Sequence, residues 1–195
     1  MPDVETELYW QTAEWCDELR SSYEIDDVVE KIEMRLSQAE NSIERKTLQE
    51  YLCRSLQEAD RYDDALAVMM KLHEAFPTDP LTSLRVAEHY LYGTDSPSKA
   101  LDWIAKAEQA ARQSGNFLRH VLATKARLAL RLDNYTMLDD CLRKIASLRL
   151  AHDARDIRRE RDFFDRADKS RLSLTAIQEY ESYLSADVSF LRRSE

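Results

Sequence analysis

The sequence predicts an all-α fold, one helix pair repeated about five times, and three observations carry that prediction. Two glycines and four prolines in 195 residues, with few β-branched runs, leave little for strands and hairpins, whereas the abundant Ala, Leu, Glu, Arg, Lys and Gln favour helix. Apolar residues recur every three or four positions, the helical period. A small or medium apolar residue also returns in one local context at Val28, Ala65, Ala100, Leu138 and Ala176, at intervals of 37, 35, 38 and 38 residues. Each falls on the second helix of a predicted pair. Such a unit cannot bury its apolar face alone, so neighbours stack into a solenoid with a long concave surface. With 44% apolar residues, the chain has material for one continuous core, and a single domain over residues 1–195 is expected.

Start and stop signals place the helices in order. The first pair is predicted at 4–20 and 24–40, from Leu8, Trp15, Leu19 and then Val28, Ile32, Leu36. The second, at 42–59 and 61–76, carries Leu48, Leu52 and Leu56 on one helix and Ala65, Val68, Met69 and Leu72 on the other. Pro77 ends it, Asp79 caps the next helix, and Pro80 takes a first-turn position where a missing N–H costs nothing. The third pair follows at 80–92 and 97–113, with Gly93 as a stop, Ser96 as a cap and Gly115-Asn116 as the closing stop. The fourth, 117–132 and 135–149, turns at Asp133-Asn134; the fifth, 152–168 and 172–185, turns near Lys169-Ser170. Residues 186–195 read as a frayed tail in which Phe190 and Leu191 are candidates to dock.

Residues 46–79 resemble a tetratricopeptide repeat. Leu52-Cys53 supplies the large–small step of the first helix, Tyr62 and Ala65 the aromatic and small residue of the second, and Pro77 closes the unit twelve residues after Ala65. The third unit is similar through Val86-Ala87, Tyr90, Ala100, Ile104 and Ala107, and the fourth through Ala126, Tyr135 and Ile145, with Leu138 where alanine is expected. The end units match less, with Trp15-Cys16 and Val28 in the first, and Phe163-Phe164, Ala176 and Tyr180 in the fifth, where Phe164 occupies a small-residue position. The resemblance implies a right-handed superhelix whose first helices line the groove and whose small residues sit where paired helices cross.

The net charge of −9 is uneven. Residues 1–100 hold 10 Lys and Arg against 22 Asp and Glu, a charge of −12, and residues 101–195 hold 18 against 15, a charge of +3. In a solenoid that gives an acidic end and a mildly basic one, a field that orients charged partners and is screened by salt. No segment reaches the roughly 20 apolar residues that span a bilayer, and the first ten residues, MPDVETELYW, do not read as a signal peptide. Cys16, Cys53 and Cys141, odd in number and far apart, suit reduced thiols. A cytoplasmic protein without a membrane partner is expected, and the sequon at Asn134–Thr136 then carries no weight.

Gly93 and Gly115 lie 22 apart, so no phosphate-binding loop, dinucleotide fingerprint or nucleophile elbow can be written from this chain. His73, His89, His120 and His152 stand outside any metal-ligand spacing and are read as surface or core-edge residues. Ser96-Pro97-Ser98-Lys99 spells S-x-x-K but lacks the companion motifs of serine acylases, and close carboxylates such as Glu14/Asp17 and Glu30/Glu33 read as solvated faces. No cofactor, metal or catalytic residue is predicted. Arg155, Arg158, Arg159, Arg161 and Arg166 are interleaved with Asp153, Asp156, Glu160, Asp162 and Asp165, which are expected to neutralise them within the helix, so nucleic acid is not expected as a partner.

What remains is the groove that the resemblance implies. Its first-helix positions are Glu50, Arg54, Leu84, Glu88, Ala123, Arg127 and Arg131, joined by Asp17, Arg158 and Arg161, all expected to face solvent. A non-enzymatic scaffold or adaptor follows, holding a peptide or protein segment whose acidic groups meet Arg127 and Arg131, because the guanidinium fork engages carboxylates with two bonds. The alternatives are a small dedicated chaperone and a homo-oligomeric subunit assembled through Trp10, Trp103 or Phe190.

Overall fold

Caps and breakers decide where each helix begins and ends. Asn41 Oδ1 accepts from the Ile43 N–H at 2.8 Å, Asp79 Oδ1 from Leu81 at 2.9 Å and Asn134 Oδ1 from Met137 at 3.0 Å, each satisfying a first-turn donor. The computed structural model describes residues 4–148 and 154–191, the latter without the side chains of 154–157 and 186–191. Among the described residues it is all-helical: α1 (Val4–Ser22), α2 (Ile25–Gln38), α3 (Ser42–Glu58), α4 (Tyr62–Ala75), α5 (Pro80–Glu88), α6 (Pro97–Ser114), α7 (Leu118–Arg131), α8 (Tyr135–Ser147), α9 (Ala154–Arg166) and α10 (Leu174–Leu191). No helix among these residues is long and apolar enough to cross a membrane.

Three local features depart from the expected boundaries. The helix predicted to run to 92 ends at Glu88 and continues as a π turn, His89–Gly93, closed by the Thr94 N–H on the His89 carbonyl at 3.2 Å. The tail expected to fray from 186 is helical to Leu191, while Phe190's side chain and residues 192–195 lie outside the described set. Ser96 stands before α6, but its hydroxyl does not cap the helix.

The chain divides into two compact units, residues 1–95 and 96–195, so the boundary falls inside the predicted third pair. In the first unit α3 packs against α1, α2 and α4, and α4 continues onto α5. In the second, α6 packs on α7, α7 on α8, and α8 on α10. Phe164 of α9 lies 5.1 Å from the Tyr180 ring of α10, the two rings tilted by 52°.

The five periodic positions sit on α2, α4, α6, α8 and α10, and Val28, Ala65, Ala100, Leu138 and Ala176 are each 0% exposed. The close crossing has a direct trace in the second pair, where Cys53 Sγ lies 3.8 Å from the Ala65 carbonyl oxygen. Cys16, Cys53 and Cys141 are buried free thiols, and burial pushes each up to about 12. The turns inside the second and fourth pairs are the same turn. Asp60 (φ 57°) and Asp133 (φ 55°) take the left-handed conformation, and the next N–H, of Arg61 and Asn134, returns to Leu56 and Ala129 at 2.8 Å.

Candidate functional site

Hydrogen bonds and ion pairs join elements far apart in sequence within each unit. In the first unit the Tyr51 hydroxyl of α3 donates to Asp17 of α1 at 3.1 Å, over 34 residues, and Lys46 of α3 donates to Asp79, the cap of α5, over 33. Arg20 pairs with Glu58 over 38 residues. In the second unit, Arg119 of α7 donates to Glu160 of α9 at 2.6 Å over 41 residues, the Asp168 N–H to the Tyr135 hydroxyl over 33, and the Ser173 N–H to Asp139 over 34. These separations run from 33 to 41 residues.

Along the first unit, Glu50 and Arg54 stand on α3 and Leu84 and Glu88 on α5. Arg54 is exposed and its guanidinium lies 5.3 Å from the Tyr51 ring centroid. Glu50 is half-buried, and its nearest cation, Lys46 at 4.0 Å, is engaged with Asp79, so burial holds the Glu50 carboxyl above its ordinary value despite Lys46 and Arg85. Glu88 is half-buried and pairs with Arg85 at 3.1 Å. Leu84 is a correction: it is 4% exposed and belongs to the core, because the α5 stripe Thr82, Ser83, Val86 and Ala87 turns it inward. Sequence reasoning missed Lys46, Tyr51 and Arg85, which share this surface with the named residues.

In the second unit α7 carries Ala123, Arg127 and Arg131, and α9 carries Arg158 and Arg161. Arg131, Arg158 and Arg161 are exposed, while Ala123 and Arg127 are half-buried. Arg161 donates to the Leu184 carbonyl at 3.4 Å, and Arg127 lies close enough to Tyr180 to favour its phenolate. Behind these arginines is a buried polar cluster that the sequence did not reveal. Glu160 takes Arg119 on one oxygen and the hydroxyls of Tyr180 and Tyr183, each at 3.1 Å, on the other. Burial first and the Glu160 charge second push both phenols up, so they stay protonated donors. Glu160 is therefore not one of the carboxylates that neutralise α9 from within, since its charge is spent on α7. Asp153, and the side chains of Arg155 and Asp156, lie outside the described residues.

The other candidates resolve into local roles. His73 is half-buried beside the Thr82 and Ser83 hydroxyls at 3.3 and 3.2 Å, His120 is exposed against Phe117, and His152 lies outside the described residues. His89, expected at a surface or core edge, is 0% exposed. Among the described residues no three His, Cys, Asp or Glu side chains converge as metal ligands do. The chain matches no protein-family model, no curated protein and no solved structure.

Proposed function

We propose that the chain is a non-catalytic, tetratricopeptide-like interaction module of the cytoplasm, in which the first helices of the pairs present a surface that holds a peptide or protein segment. The observation that carries this reading is the agreement of two periods: polar links between neighbouring pairs recur every 32 to 41 residues in both units, and the apolar anchors recur every 35 to 38. In this reading the first helices stand side by side and offer a row of side chains to an extended ligand. Arg127 and Arg131 on α7, with Arg158 and Arg161 on α9, give the second unit's row a cationic character suited to acidic groups.

Replacing Arg127 and Arg131 together by glutamate tests it. Capture of a partner from lysate, read by mass spectrometry, is expected to be lost while the circular dichroism stays helical; unaltered capture rejects the assignment. One observation favours a second reading, a self-assembling subunit: Trp10 is 64% exposed and stacks edge-on against the exposed Tyr9 at 5.1 Å. Trp103, also considered for such a face, is half-buried beneath Lys106 at 3.8 Å. Sizing at two concentrations separates the readings, because self-assembly shifts the elution volume and adaptor function does not.

A further inference from the structure

The π turn His89–Gly93 is the last element of the first unit, and it encloses an ionisable group in an unusual setting. The His89 ring is 0% exposed, its Nδ1 lies 3.4 Å from Gln57 Nε2 on α3, and its Nε2 is buried without a hydrogen-bond partner. The Tyr62 ring, at the start of α4, lies 6.2 Å from the imidazole centroid. Gly93 closes the turn over both: a Cβ there would stand 3.0 Å from Tyr62 Cδ1 and 3.5 Å from His89 Nδ1. The turn thus fits the α3–α4 corner only through a bare glycine and a neutral imidazole.

We propose that this turn is an acid-operated latch: uptake of a solvent proton by His89 releases residues 89–94 from the α3–α4 corner while the rest of the first unit stays folded. In the neutral ring the Gln57 amide donates to Nδ1 and the ring proton sits on Nε2. A second proton must enter at Nδ1, where it turns the Gln57 amide away as a donor. It also leaves a positive charge at a fully buried site. Of the groups facing the ring, Gln57 on α3 and Tyr62 on α4 are neutral, as is Tyr90 in the turn itself. Asp63 on α4 is the charge that favours the proton, and burial outweighs it, so His89 titrates below its ordinary value. The unlatched segment binds more protons than the latched one, so the latch weakens as pH falls below the usual histidine range.

The second unit supplies the control. Tyr135 occupies the position on α8 that Tyr62 occupies on α4, but its ring carries the Arg171 guanidinium at 3.9 Å, a cation that does not titrate there. Amide hydrogen exchange of the full chain, corrected for the intrinsic pH dependence, tests the proposal. Opening of residues 86–95 is expected to rise by up to about tenfold per pH unit below ~6.5, while residues 131–135 and 168–171 show no such slope. In His89→Gln the slope at 86–95 is expected to vanish. A slope that persists in that variant, or is missing from the wild type, overturns the latch. Should the variant fail to fold, the imidazole titration of wild-type His89 by NMR decides: a midpoint below ~6.5 supports the latch, and one at or above it overturns it.

Discussion

The two units are built by the same turns and anchors yet held together by different electrostatics. Residues 1–95 carry 9 Lys and Arg against 22 Asp and Glu, a charge of −13, whereas residues 96–195 carry 19 against 15, a charge of +4. In the first unit the bridges between first helices lie at the rim, with Lys46 and Asp79 side chains 30% and 18% exposed. In the second the corresponding bridge is internal, with Arg119 and Glu160 at 9% and 5%. The five apolar anchors are buried alike in both units, while the polar bridges differ, one at the rim and one in the core.

The sharpest way to break this contrast is to remove one partner of each bridge. Arg119→Ala strands the Glu160 charge in the core and is expected to cost about 3–5 kcal/mol in urea unfolding, whereas Lys46→Ala is expected to cost about 0–1 kcal/mol. Equal costs would mean that the buried and rim bridges are energetically the same. Glu160→Gln leaves the buried Arg119 without its counter-charge and is likewise expected to lower the urea midpoint.

A second comparison exchanges the anchors. Leu138→Ala opens a cavity at a fully buried site and is expected to cost about 2–5 kcal/mol. Ala65→Leu adds a branched side chain at a fully buried position and is expected to cost about 1–3 kcal/mol by overpacking. Thermal melts of both, with a stabilising effect in either, would show that one shared crossing distance does not govern the two pairs.

The smallest effect has opposite signs in the two units. Burial pushes Glu108 up, but hydrogen bonds from Lys125 and Arg112, both at 2.6 Å, overcome it and hold its carboxyl below the ordinary value. Its stabilisation is present above the usual glutamate range and is lost as pH falls through the depressed value. Glu50, held above its ordinary value by burial, penalises the fold once pH exceeds that raised value, and acid relieves the penalty. At pH 7 Glu50→Gln is therefore expected to raise the urea midpoint and Glu108→Gln to lower it. The Glu50→Gln gain shrinks as the wild type is acidified through the Glu50 titration. A gain from Glu50→Gln that is independent of pH would exclude ionisation as its cause.

Much of the local structure was legible because its causes are local. Asp79 and Pro80 start α5 by capping and by a fixed φ, and Asp133 with Asn134 turns the fourth pair because short polar side chains tolerate the left-handed conformation. The burial of Val28, Ala65, Ala100, Leu138 and Ala176 was readable from spacing, since a recurring apolar residue on a helix marks its core stripe. Leu84 misled because an apolar residue on a candidate groove and one in the core have the same local signature. Glu160 misled because its arginine neighbours in sequence offered pairs that the buried Arg119, 41 residues away, outcompetes.

The amino-acid order alone determined the helical class, the positions of the turns and the periodic anchors, because these depend on backbone preferences and on contacts within a few residues. The tertiary structure alone decided that the chain parts between 95 and 96, that α8 lies against α10, that His89 is fully buried, and that Arg119 meets Glu160. Those outcomes depend on burial, which is a property of the assembled chain. Whether a charge or an imidazole ends in water or in the core is set by neighbours that come from other helices, and local sequence carries no record of them.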